Sequence, residues 1–227
     1  MTTSVTTAGR PAAAGDSNAL TRLTEWTKRH KKLATYVAVA LVVGAGLYGW
    51  SLLTAKTAER NAGRQLEQGR LALDSKNYPL AASVLSQMVE NYSGTHAAQE
   101  GALLLGQVRL AQGQTLQAID VLQRFAPKAD GDFRAQAYGL LGAALENALK
   151  SREAATAYQQ AADAAQYPFL RAQYLSDVGR ASIAAGDTAK ALAAYRTIVE
   201  RLDSTSAVGE AKVRIGELTR GAGLGGR

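Results

Sequence analysis

The side chains spaced most closely for chemistry in this 227-residue chain are two carboxylates, Asp130 and Asp132, in the run KADGDF. A pair of acids can divide general acid and general base roles when its environment pushes the two pKa values apart. Asp-Gly-Asp between two helices is, however, the composition of a turn that ends in a helix N-cap. The sequence holds two histidines, His30 and His96, and no cysteine. Disulfides, thiolate metal sites and a cysteine nucleophile are therefore excluded, and carboxylates would have to supply most ligands of any zinc site. No GxSxG, HExxH or P-loop pattern occurs, so no nucleophile, metal pair or phosphate cradle is encoded in the forms known to supply them.

Two other patterns imitate sites. Gly44, Gly46 and Gly49 spell GxGxxG, as do Gly221, Gly223 and Gly226. A dinucleotide site needs a strand before the glycines and a helix opening at them. The first set lies inside a long apolar run and the second ends one residue from the C-terminus. Asn91-Tyr92-Ser93 matches a glycosylation sequon and reads here as a helix end. The expectation is a protein without catalytic residues, metal or cofactor.

What organises the chain is the apolar run itself. Leu33 to Leu53 is 21 residues without a charge, enough for a helix to cross a hydrocarbon core of about 30 Å at about 1.5 Å per residue. Tyr36 near one end and Trp50 near the other suit interfacial aromatic belts. Residues 1–19 are poor in large apolar groups and are expected to be disordered. Residues 20–32 read as a basic juxtamembrane helix, with Leu20, Leu23 and Trp26 on one face. Residues 18–32 carry five Lys or Arg against three in residues 54–68, which places the N-terminus in the cytoplasm. The run is longer than a signal-peptide core and no A-x-A follows it, so an uncleaved anchor is expected. Ala40 with Gly44, and Ala45 with Gly49, offer small residues for helix contact in the bilayer.

The formal charge of +7 divides into +4 for residues 1–32 and +3 for residues 54–227. Much of the basic excess flanks the membrane, and no basic stripe for nucleic acid remains.

Beyond the span the sequence repeats. Gly69, Gly106, Gly142, Gly179 and Gly216 recur at intervals of 37, 36, 37 and 37 residues, and Ala81, Ala118, Ala154 and Ala191 follow the first four at a distance of twelve. From each alanine, large or small apolar residues continue at i+3, i+4 and i+7, the buried stripe of an amphipathic helix. A glycine inside a helix costs about 1 kcal/mol relative to alanine. Five at one register position therefore imply close packing against a partner helix, with the alanine ladder allowing the same approach from the other side.

These residues resemble the tetratricopeptide repeat, a helix-turn-helix unit of about 34 residues. The best matches are Gly69, Tyr78, Ala81 and Leu85; then Gly106, Gly113, Ala118 and Phe125; then Gly179, Gly186, Asp187, Ala191 and Tyr195. The third repeat is weakest at its turn, Leu149-Lys150, and each unit is two or three residues longer than the family's. The implied fold class is all-α: a single N-terminal transmembrane helix at 33–53, a solenoid of four helix pairs and a capping helix within 54–218, and a flexible tail at 219–227. A short tether, Thr54 to Asn61, is expected before the first repeat helix.

The resemblance further implies that the first helix of each pair lines a protein- or peptide-binding concave face. Transferred to this sequence, that register selects Leu66, Arg70, Leu73, Leu103, Gln107, Leu110, Ala143, Glu146, Arg180 and Ile183. The asparagines of the carboxylate-clamp subclass are replaced by Arg70, Gln107, Ala143 and Arg180, which speaks against cytosolic chaperone docking. A basic arm, one anchor ending in Gly49-Trp50 and an external repeat domain are similar to the YfgM-type ancillary subunit of the bacterial Sec translocon. That resemblance implies an inner-membrane protein whose periplasmic repeats meet chaperones or exported chains. A cell-envelope scaffold for division or wall assembly is the alternative.

Overall fold

The computed structural model describes residues 31–219, which leaves the arm at 1–19, most of the basic helix expected at 20–32, the second GxGxxG and most of the tail expected at 219–227 outside the described residues. The first helix, α1 (Lys31–Asp74), is 44 residues long. Its N-terminal part is apolar enough and long enough to cross a membrane. Leu41, Val42, Leu47, Tyr48 and Trp50 are all exposed there. Tyr36 is exposed as well, and a Cβ placed on Gly44 or Gly49 would meet nothing within 4 Å.

The expected tether at Thr54 to Asn61 is instead helix. The stretch TAKTAERN contains no glycine or proline to stop propagation, and Ala, Lys, Glu and Arg favour it. The Thr54 hydroxyl is satisfied internally, donating to the carbonyls of Trp50 and Ser51. The chain forms two compact units, one ending at Ala55 and the other beginning at Lys56.

The second unit is built from α1 beyond Lys56 and eight further helices: α2 (Tyr78–Asn91), α3 (His96–Ala111), α4 (Thr115–Phe125), α5 (Gly131–Asn147), α6 (Ser151–Ala164), α7 (Pro168–Ala184), α8 (Thr188–Arg201) and α9 (Ala207–Thr219). A 3-10 turn, Ala126–Lys128, follows α4. No strand occurs among the described residues. Pairs α1/α2, α3/α4, α5/α6 and α7/α8 are the four repeats, and α9 packs on both α7 and α8 as a fifth first helix.

The alanine ladder is wholly buried, since Ala81, Ala118, Ala154 and Ala191 are each 0% exposed. The glycine ladder does something other than meet it. A Cβ on Gly69 would lie 2.6 Å from Leu85, on Gly106 3.0 Å from Leu122, on Gly142 2.6 Å from Tyr158 and on Gly179 2.3 Å from Tyr195. Each glycine is thus a socket for the large side chain sixteen residues later, four beyond the alanine. Gly101 and Gly139, off the ladder, are sockets between repeats for Met88 and Tyr174.

The turns between paired helices share one device. Lys76, Gly113, Leu149 and Gly186, each seven residues after a ladder glycine, all adopt positive φ, at 59, 71, 60 and 77°. In each turn that residue and the next donate backbone bonds to the end of the first helix, as in Leu149 N–H to Glu146 O at 2.8 Å and Lys150 N–H to Leu145 O at 2.9 Å. The Leu149-Lys150 turn therefore has the geometry of the glycine turns although its residues do not announce it. Asn77 and Asp187 then cap α2 and α8 with their side chains.

The other ends of the first helices are tied by polar bonds. Glu59 accepts from the first two amides of α3, His96 and Ala97, both at 2.9 Å. Arg171 donates to the carbonyls of Ala162 and Ala165 and so holds the link between α6 and α7.

Candidate functional site

Asp130 and Asp132 of KADGDF fall at the start of a helix. Asp130 occupies the N-cap position of α5 without a side-chain cap bond. Its carboxylate accepts instead from Gln99 Nε2 at 3.0 Å, while its own N–H donates to Gln99 Oε1 at 2.9 Å. Asp130 thereby joins the second and third repeats, a structural use. His96 packs edge-on against Phe133, ring centroids 4.9 Å apart. Among the described residues no three His, Cys, Asp or Glu side chains gather in a metal-binding group.

The residues selected for the first-helix face fall into two sets. Leu66 and Leu103 are 6% exposed and belong to the core, so they are unsuited to lining a binding surface. Each lies three residues before its ladder glycine, on a side of the helix that packs inward: Leu66 clusters with Ala62 and Leu85, and Leu103 with Ala126 after α4 and Ala137 on α5. Leu73, Leu110, Ala143 and Glu146 are half-buried, and Arg70, Gln107, Arg180 and Ile183 are exposed. The position after the glycine is exposed and polar in three repeats, as Arg70, Gln107 and Arg180, and holds the half-buried Ala143 in the third.

Several of these polar groups are engaged with one another. Arg70 on α1 pairs with Glu100 on α3 and, at 3.8 Å, with Glu67. Arg180 on α7 pairs with Glu146 on α5 and with Asp177, the latter at 2.7 Å. The Tyr158 hydroxyl donates to the second oxygen of Glu146 at 2.7 Å, and the Arg180 guanidinium stands 5.9 Å over the Tyr158 ring. Burial, then the bond to Glu146, holds the Tyr158 phenol well above its ordinary pKa. Burial likewise raises the Asp177 carboxyl, and its hydrogen bond to Arg180 pulls it back only in part. The Glu146 bond drives the Arg180 guanidinium above its ordinary value. The sequence places Tyr158 only in the buried stripe of its helix and gives Asp177 no role. The register offered a signal for both, a large residue sixteen after a ladder glycine and an acid two before one.

Beside this cluster a groove of about 550 Å³ opens between α7 and α9. Asp177, Arg180 and Ile183 line it from α7, Glu210 and Arg214 from α9, and the edge of Tyr195 from α8. Phe169, 63% exposed and stacked on Tyr167 at 5.8 Å, stands at its other end. A second, smaller hollow of about 370 Å³ lies between α2 and α4, floored by Val89, Leu105, Val121 and Phe125.

No protein-family model matches this chain, and no curated protein matches it in sequence. Solved structures do match its fold. The crystal structure of MamA protein superposes with a TM-score of 0.55 at 22% identity, covering 72% of this chain and 83% of that one. The putative kinesin light chain nearly identical TPR-like repeats of Podosopora anserina superpose at 0.53 and 16% identity, covering 71% and 87%. The helix pairs, the turns and these likenesses together make the repeat unit a tetratricopeptide-like solenoid.

Proposed function

We propose that this chain is a non-enzymatic, membrane-anchored scaffold whose first-helix face receives protein or peptide partners. The observation that carries the reading is the groove between α7 and α9, where exposed apolar residues and charges of both signs surround an open space of about 550 Å³. Such a surface suits a chain-like ligand with mixed side chains, and nothing in it supplies a nucleophile with its base.

In this reading Leu33 to Leu53 spans a bacterial inner membrane once, with the N-terminus cytoplasmic and the repeats periplasmic, as the Lys and Arg bias supports. The reading follows the resemblance to the YfgM-type subunit and has the repeats beside the Sec translocon, assisting exported chains together with chaperones. Ala40, Gly44, Ala45 and Gly49 would meet another membrane helix. The alternative, a division or wall-assembly scaffold with one fixed partner, is favoured by the bridges Arg70–Glu100 and Glu146–Arg180, which hold neighbouring first helices in one arrangement.

Photo-crosslinking in cells from positions 70, 110 and 180 tests the reading. Crosslinks to exported chains or translocon subunits support the first version, and one dominant envelope protein supports the second. No crosslink from any of the three would defeat both. Protease added to spheroplasts tests topology: survival of residues 54–227 while the arm is cut would reverse the assignment.

A further inference from the structure

The groove between α7 and α9 has a charge balance that its own lining conceals. Arg180 and Arg214 are its two cations, and each is already committed to acids around it: Arg180 to Glu146 and Asp177, Arg214 to Glu210 and Glu217. Counted with these ion-pair partners, four carboxylates face two guanidiniums, an excess of two negative charges. Neither arginine is left as an open cation. The Asp177 side chain is 25% exposed and its carboxyl is raised by burial and by the negative charges of Glu146 and Glu210. It stands among acids that a further cation would relieve.

Two other observations belong to the same groove. Ser176 Oγ is buried without a hydrogen-bond partner and lines it. Phe169 and Ile183, exposed by 63% and 41%, mark its two ends on α7. Fourteen residues of helix separate them, a span of about 21 Å at about 1.5 Å per residue. A polyproline II segment, extended at about 3.1 Å per residue with three residues per turn, covers most of that distance in six steps and turns its first, fourth and seventh side chains to one side. Asp177 lies eight residues from one end and six from the other, so a central side chain of a seven-residue segment would reach it.

We infer that this groove binds a peptide segment extended in the polyproline II conformation, with a basic residue at its centre and an apolar residue three positions to either side. The lysine or arginine enters between Asp177 and Glu210, and the apolar side chains rest on Phe169 and Ile183. This deepens the scaffold reading and rests on it.

The test uses the full chain in detergent micelles and a fluorescein-labelled peptide, Leu-Ser-Ser-Lys-Ser-Ser-Leu, followed by anisotropy. A charge-assisted hydrogen bond to a carboxylate is worth enough that replacing the central Lys by norleucine or Glu is expected to weaken binding by about tenfold or more. Asp177→Asn and Glu210→Gln are each expected to weaken the Lys peptide and to leave the norleucine peptide unchanged. Glu210 is exposed, so its variant keeps the test open should Asp177→Asn fold poorly. Glu90→Gln, in the hollow between α2 and α4, should change nothing. Equal binding of the Lys and Glu peptides, or no saturable binding of the Lys peptide, overturns the inference. If crosslinks from positions 70, 110 and 180 still capture partners in that case, the scaffold reading stands and only its ligand class falls.

Discussion

The ring of Tyr195 fills the volume that a side chain on Gly179 would need, with Cζ 2.3 Å from the position of an added Cβ. Tyr195 is 1% exposed and cannot swing away. Gly179→Ala is therefore expected to lower stability by about 2 kcal/mol, as overpacking of a rigid core does. Gly63→Ala, on α1 with nothing within 4 Å of its added Cβ, should instead raise it by about 0.5 kcal/mol through helix propensity. Thermal unfolding of the two variants in the same detergent checks the contrast, and equal shifts would refute the socket.

The turn residues give an opposite use of glycine. Leu149 is 90% exposed and sits at a φ of 60°, where a β-carbon is crowded. Leu149→Gly should raise stability by about 1 kcal/mol, since no packing is lost and the left-handed strain is relieved. Gly186→Ala, at a φ of 77°, should cost a similar amount, about 1 kcal/mol. Denaturant midpoints at unchanged m-value would read both.

The bridge between the third and fourth repeats should behave as a unit. Glu146 is 22% exposed and serves Arg180 and Tyr158 together. A double-mutant cycle of Glu146→Gln with Arg180→Ala is expected to show coupling of about 1 kcal/mol, after allowing for the exposure of the arginine. The pair Asp120–Arg124 on α4, at 62% and 71% exposed, should couple by only about 0.3 kcal/mol.

Asp177 supplies a pH signature. Its folded carboxyl is raised by burial, so as pH falls the native state takes up this proton before the unfolded chain does. The wild-type chain should therefore gain stability relative to Asp177→Asn as pH drops through the raised value, and stop gaining below the ordinary aspartate range. A difference between the two that is flat with pH, measured by chemical unfolding from neutral pH downward, would contradict the burial.

Glu59 closes the start of α3. Glu59→Gln weakens two charge-assisted bonds at a helix N-terminus and should cost about 1 kcal/mol. Hydrogen exchange should quicken at the amides of His96 and Ala97 while those of α7 stay protected.

The repeats were legible in the sequence because the glycine and alanine ladders are periodic, and periodicity survives without knowing any contact. What each ladder touches was less legible. Gly69 and Ala81 read as two small residues opposing each other, whereas the glycine receives Leu85, because a helix pair crosses at an angle that brings the residue one turn further on into register. Leu66 and Leu103, expected on the binding face, are buried, because a first helix also carries apolar residues on the sides that meet its neighbours, as where Leu103 packs with Ala126 and Ala137. Glu59 was invisible because a carboxylate reaching 37 residues forward leaves no local pattern. The pairing of Arg180 with Glu146 was equally hidden, since both residues were selected as ligand contacts and nothing local says that they meet.

The sockets of the glycine ladder have one more effect. In the first two repeats they hold Leu85 and Leu122, and in the last two Tyr158 and Tyr195. A tyrosine passed through such a gap delivers its hydroxyl to the far side: Tyr158, rooted on α6, touches Glu146 on the opposite helix layer. The chemistry of the groove-bearing surface is thus partly written on helices that lie behind it. A Leu-to-Tyr exchange at a hidden socket position lets the third repeat send a hydroxyl to that surface, which the first two repeats do not.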